Sequence, residues 1–113
     1  MATDTAMRKQ QDLQTQYQNH KSTLQNLAQK VGEIEGEIEE HKLVLDTLKP
    51  LPEDRTCFRL INGVLVQRTV KEVLPALQAN NDGLKQVLDG LMKQYKTRES
   101  EMERWKKENK VQV

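Results

Sequence analysis

Residues 56–69 constrain the fold of this chain most, because they favour two strands on either side of a tight turn. Asn62-Gly63 lies at the centre of the segment, and this dipeptide accommodates the two positive φ angles of a type I′ turn. β-Branched, aromatic and aliphatic residues flank the turn on both sides. A two-residue loop fixes the strand register, so that Ile61 faces Val64. The segment therefore predicts a β-hairpin.

The predicted hairpin is incomplete by itself, because a lone pair of strands is marginally stable and leaves two edges of unpaired backbone groups. The rest of the chain has helical patterns, so we expect strands from other chains to complete the sheet. Apolar residues at the adjacent helix ends widen the surface that needs cover. The predicted assembly residues are Cys57, Phe58, Leu60, Ile61, Asn62, Gly63, Val64, Leu65 and Val66 of the hairpin, with Leu43, Val44 and Val73 beside it.

The composition limits the size of any core and the classes of partner. Hydrophobic residues make up 35% of the chain and charged residues 31%, which favours long helices that share a narrow apolar seam. A net charge of +1 gives no overall attraction to nucleic acid or to an anionic membrane. We find no apolar run of the ~20 residues that span a bilayer and no secretory signal. A soluble, cytoplasmic protein is expected.

A heptad pattern runs through the N-terminal part of the chain. Thr3, Asp4 and Thr5 are candidate caps for a helix that we place at about residues 8–49. Its apolar and ring-bearing residues are spaced alternately by four and three, which indicates a coiled coil. These seam residues are Leu13, Tyr17, His20, Leu24, Leu27, Val31, Ile34, Ile38, His41, Leu45 and Leu48.

A second heptad helix follows the hairpin. Residues 50–55 contain two prolines, which end the first helix and form a stiff connector. Thr69 and Glu72 have capping-box spacing, so we predict a helix at residues 70–110 and a tail at 111–113. Its seam residues are Val70, Leu74, Leu77, Asn81, Leu84, Leu88, Leu91, Tyr95, Arg98, Met102 and Trp105.

The two seams have nearly equal lengths, and a hairpin reverses the chain direction. The predicted fold class is therefore mainly α, a long antiparallel helical coiled coil with one β-hairpin at its base. Leu48 would pair with Val70, and Leu13 with Trp105. Both termini would lie at the other end, and the apolar residues there would form a partner-binding tip. An alternative is that Trp105 only completes the seam. The tip residues are Met7, Met102, Trp105, Val111 and Val113.

The segment from Cys57 to Leu77 has heptad helices on both sides and reads Cys-Phe-Arg-Leu-Ile-Asn-Gly-Val-Leu-Val-Gln-Arg-Thr-Val-Lys-Glu-Val-Leu-Pro-Ala-Leu. This pattern resembles the β-type prefoldin subunits. The resemblance extends over nearly the whole chain and includes the last nine residues. Two positions depart from the family pattern: glycine is more frequent at the place of Asn62, and an acidic residue at the place of Gln67. Loss of that acid would alter one contact between neighbouring subunits.

The resemblance implies that the whole chain is a single β-type domain of a heterohexamer with two α-type and four β-type subunits. Their hairpins would join into an intersubunit double β-barrel that carries six coiled-coil arms. It also implies an ATP-independent holdase, whose tips capture unfolded or nascent actin and tubulin. The clients would then pass to the cytosolic group II chaperonin.

Two other functions fit parts of the sequence. A structural coiled-coil tether would bind one folded partner at its tips and only dimerise through the hairpin. An arm that grips structured RNA would need a continuous basic stripe, whereas the basic residues here are interleaved with acids except at the tail. Neither nucleic acid nor a membrane is therefore a predicted partner.

Catalysis, cofactors and metals are not predicted. His20 and His41 lie three heptads apart on one helix, and neither has a second ligand at a suitable spacing. Cys57 is the single cysteine and has no adjacent base, so a half-buried hairpin residue is favoured over a nucleophile. The sequence contains no glycine-rich phosphate loop and no nucleophile–base pair.

Overall fold

A computed structural model describes residues 2–111. Two long helices, α1 (Ala2–Leu48) and α2 (Val70–Glu108), enclose a hairpin of β1 (Thr56–Ile61) and β2 (Val64–Thr69) in the order of the chain. This arrangement confirms the predicted fold class. α1 starts six residues before the expected position, so the candidate caps at residues 3–5 lie inside the helix. An acidic residue in the first turn is favourable there, because it faces the positive end of the helix dipole.

The hairpin has the predicted register. β1 and β2 pair antiparallel, and Ile61 faces Val64 while Leu60 faces Leu65. Asn62 has a φ of 49° and Gly63 a φ of 80°, so both loop residues adopt the left-handed conformation that a type I′ turn needs. The dipeptide at the turn thus determines which side chains share each face of the hairpin.

The connector between α1 and β1 folds back onto the first turn of α2. The backbone N–H of Val70 donates to the carbonyl of Arg55 (3.0 Å), and the N–H of Lys71 donates to the carbonyl of Glu53 (2.9 Å). The Thr69 hydroxyl donates to the Glu72 carboxylate at 3.0 Å. Connector carbonyls therefore satisfy the N–H groups of the first two residues of α2, in addition to the side-chain contact between the two capping-box residues.

The chain divides into two compact units, which we describe separately. The terminal unit contains Met1–Gly32 and Asp89–Val113, and the hairpin unit contains Glu33–Leu88. In each unit a stretch of α1 packs antiparallel against a stretch of α2. The α1 seam positions are all buried or half-buried, and so are those of α2 except for the exposed Arg98. The heptad prediction therefore identified the packed faces of both helices.

The pairing of the two helices near Trp105 differs from the prediction by about one turn. In the terminal unit, the Trp105 ring lies 6.5 Å from the ring of Tyr17, one turn beyond its expected partner Leu13. In the hairpin unit, Ile38 and Leu45 of α1 line one groove together with Gln78 and Asn81 of α2.

Candidate assembly surface

One face of the hairpin is apolar and uncovered. The alternation of side chains in the paired strands puts Phe58, Leu60 and Leu65 on the same side. These side chains are 66%, 66% and 69% exposed. Removing apolar groups from water lowers the free energy, so a contiguous exposed apolar face marks a contact site.

The other face of the hairpin is partly covered by its own chain. Cys57 and Val66 are half-buried, whereas Ile61 and Val64 beside the turn are exposed. Within residues 2–111 the sheet has two strands, so the outer edges of β1 and β2 lack a neighbouring strand. The hairpin therefore presents apolar side chains together with free backbone donors and acceptors, which is the combination that strand addition requires.

The helix residues predicted to join this surface separate into two groups. Leu43 and Val44 are exposed and line a shallow groove of about 210 Å³ with Thr47 and Leu48. Val73 is buried, in contrast to the prediction that it would extend the exposed apolar stripe. At 6% exposure, this side chain belongs to the core of its own chain. Of the three predicted helix residues, Leu43 and Val44 are therefore the two that remain uncovered.

The predicted tip residues differ in accessibility. Met7 is exposed, whereas Met102 is only 8% exposed and belongs to the core of the terminal unit. Val111 is half-buried, and its N–H donates to the carbonyl of Lys106 (2.9 Å) in a C-terminal cap closed by the positive φ of Lys110. Val113 lies outside the described residues. Met7 is thus an exposed member of the predicted tip set, whereas Met102 is part of the core.

Trp105 lies within a cluster of rings. Its indole packs against Tyr17 and lies 5.3 Å from the ring of His20, and its N–H donates to the side-chain oxygen of Gln16. The tryptophan is half-buried, so it completes the seam, with partners one turn away from Leu13. Gln16 was not among the predicted residues because it lies beside the seam and not on it.

The histidine His41 has a structural partner within its own helix. The His41 imidazole lies 2.9 Å from the carbonyl of Glu37, one turn earlier in α1. In the part of the chain that the structure describes, histidine, cysteine and carboxylate side chains form no cluster that could hold a metal ion. None of the described helices has the length and hydropathy of a membrane span.

The hairpin unit also contains a groove that the sequence patterns did not predict. Lys42 of α1 and Lys49, the residue after the end of α1, line it together with Asn81 and Lys85 of α2. The heptads gave no signal for it, because the three lysines lie beside the seam positions and not on them.

Comparison with known proteins relates this arrangement to one family. The family model for prefoldin subunits matches residues 11–113. The chain is 49% identical over 105 residues to the probable prefoldin subunit 2 of Schizosaccharomyces pombe, covering 93% of this chain and 92% of that protein. It is 41% identical over 87 residues to human prefoldin subunit 2, covering 77% of this chain and 56% of the human one. The chain thus spans little more than half of the human protein.

The fold is also similar to that of a solved structure. The crystal structure of the prefoldin beta subunit from Thermococcus strain KS-1 superimposes with a TM-score of 0.77 at 21% identity, covering 87% of this chain and 86% of that one. That similarity concerns the helix–hairpin–helix fold, and the family match includes the hairpin and both flanking helices. The resemblance found in the sequence is confirmed, and the chain belongs to the prefoldin subunit family.

Proposed function

We propose that the chain is a β-type subunit of a prefoldin heterohexamer and that it assembles through the hairpin. The observation that carries this proposal is the exposed face of Phe58, Leu60 and Leu65 beside two strand edges without neighbours. Full burial of such side chains stabilises an interface by roughly 1.5–3 kcal/mol each. Strands of neighbouring subunits would pair with both edges, and closure into a β-barrel would leave no free edge.

The proposed activity is that of an ATP-independent holdase in the cytoplasm. Family membership supports a co-chaperone subunit, and the exposed Met7 supplies an adaptable apolar contact for unfolded segments. Actin and tubulin chains are the proposed clients, and the group II chaperonin is the proposed recipient. Neither the holding of a client nor its transfer to the chaperonin requires a cofactor or a catalytic group of this chain.

The assembly proposal can be tested by native mass spectrometry of the chain co-expressed with its partner subunits. Leu60→Glu combined with Leu65→Glu places two charges on the exposed hairpin face, so the six-chain species should be lost. Val87→Glu is the matched control, because this exposed residue lies on α2, and the hexamer should persist. A hexamer that tolerates both hairpin glutamates would contradict the proposal. A single wild-type chain that stays a well-folded monomer among its partner subunits would contradict it too.

The holdase proposal requires a separate assay. The assembled complex should slow the aggregation of several unrelated unfolded proteins without ATP. Binding to one folded partner, with no effect on these aggregation reactions, would instead support the structural tether.

A further inference from the structure

The hairpin unit contains a polar groove of about 230 Å³, which we call the lysine groove. Lys42 and Asp46 of α1 and Lys49, the residue after its end, line one side together with Ile38 and Leu45. Gln78, Asn81 and Lys85 of α2 line the other side. The groove is distinct from the exposed hairpin face, since it lies between the two helices. Assembly through the strands therefore does not account for it.

The charge in this groove is not neutralised by the chain itself. Three lysines against one aspartate leave the lining with two net positive charges. Within residues 2–111, the three lysines form no ion pair, whereas ion pairs do occur elsewhere on α2, as between Lys93 and Asp89 at 3.1 Å. The side-chain amide of Gln78 donates to the Asp82 carboxylate at 3.1 Å, which gives this carboxylate a partner other than the lysines. An anionic ligand would supply the missing partners.

A second, independent observation is the state of Asn81. This side chain is 4% exposed, and its Oδ1 has no hydrogen-bond partner among the described residues. A buried polar atom without a partner is unfavourable, and such an atom is uncommon in folded proteins. Because Asn81 lines the groove, a ligand there could donate a hydrogen bond to this oxygen.

We propose that the lysine groove binds an acidic peptide segment of a partner protein. Carboxylates of the segment would pair with Lys42, Lys49 and Lys85, and a backbone N–H would donate to Asn81. A peptide offers both kinds of group within one short stretch. A phosphodiester backbone offers acceptors alone and could not donate to Asn81, so a nucleic acid backbone fits the groove less well. This binding is additional to the proposed assembly and client holding.

The test measures fluorescence anisotropy of a labelled peptide that alternates glutamate with glycine, mixed with the full chain. Lys42→Gln, Lys49→Gln and Lys85→Gln combined should weaken binding at least about tenfold, because three exposed charge pairs are removed. The matched control combines Lys9→Gln, Lys21→Gln and Lys30→Gln, three exposed lysines of α1 in the terminal unit. This variant has the same net charge and should bind like the wild type. Equal weakening by both variants would overturn the groove as the site.

Three further measurements test the role of Asn81 and distinguish an acidic peptide from a neutral peptide and from a nucleic acid. Asn81→Leu should weaken peptide binding while it raises the melting temperature, because leucine packs better on a coiled-coil seam. An unchanged peptide affinity in this variant would show that Asn81 is only a seam residue and would overturn its part in binding. A peptide that alternates glutamine with glycine should not bind. Tighter binding of polyuridylate than of the glutamate peptide, lost in the groove variant, would overturn the choice of a peptide ligand.

Discussion

At the scale of single residues, the hairpin turn depends on backbone conformation and not on contacts. A methyl group added to Gly63 would meet no atom within 4 Å, and the same is true of Gly83 in α2. The two positions differ because Gly63 has a φ of 80°, where residues with a Cβ atom are strained, and Gly83 is helical. A Cβ atom thus has open space at both sites, and the sites differ in whether the backbone conformation suits a residue that has one.

Gly63→Ala should therefore lower the free energy of unfolding by about 1–2 kcal/mol, the cost of placing alanine in the left-handed region. Gly83→Ala should raise it by about 0.5–1 kcal/mol, because alanine is the better helix former. Urea denaturation of the full chain measures both. The same sign of effect at the two sites would show that backbone conformation is not the cause.

Two methionines that the sequence assigned to one surface have different environments. Met102 is buried in the terminal unit, whereas Met7 is 55% exposed. Met102→Ala should destabilise the chain by about 2–3 kcal/mol, since it removes packed methylenes and leaves a cavity. Met7→Ala is the control and should change the free energy of unfolding by less than about 0.5 kcal/mol. Thermal unfolding followed by circular dichroism distinguishes the two, and equal losses would contradict the assigned burial.

At the scale of elements, each long helix contains glycines in its interior. Gly32 and Gly36 of α1, and Gly83 and Gly90 of α2, have open space around the position of a Cβ atom. None is required by close packing, and each weakens its helix by roughly 1 kcal/mol relative to alanine. These helix segments should therefore open more readily than the segments around the buried Leu45 and Val73.

Amide hydrogen exchange should be faster around the four helical glycines than around Leu45 and Val73. Replacing all four glycines with alanine should slow that exchange and leave the exchange near the hairpin unchanged. Uniform protection along both helices of the wild-type chain would contradict this prediction.

At the scale of the whole molecule, proposed assembly and proposed client holding use different parts of the chain. The exposed apolar face of the hairpin belongs to the hairpin unit, and Met7 and Val111 belong to the terminal unit. Substitutions at one site should therefore leave the function of the other intact, provided that the complex still assembles.

Met7→Glu combined with Val111→Glu should reduce the suppression of client aggregation by the assembled complex and leave the six-chain species intact. The physical reason is that charged side chains at these positions disfavour contact with apolar client segments. Met92→Glu is the matched control, because Met92 is an exposed methionine on α2 that is not among the predicted tip residues. Equal loss in the control would indicate a general effect of charge and would contradict a tip site.

The amino-acid sequence by itself determined the elements of this protein and the faces that they bury. Turn chemistry at Asn62-Gly63 and heptad spacing are local properties, because they depend on φ preferences and on helical periodicity. The pairing of α1 with α2, the burial of Val73 and Met102, and the lysine groove around Asn81 were decided only by the tertiary structure. Heptad spacing is satisfied equally well after a shift of one turn, so the heptads alone could not show that Trp105 packs against Tyr17 and not against Leu13.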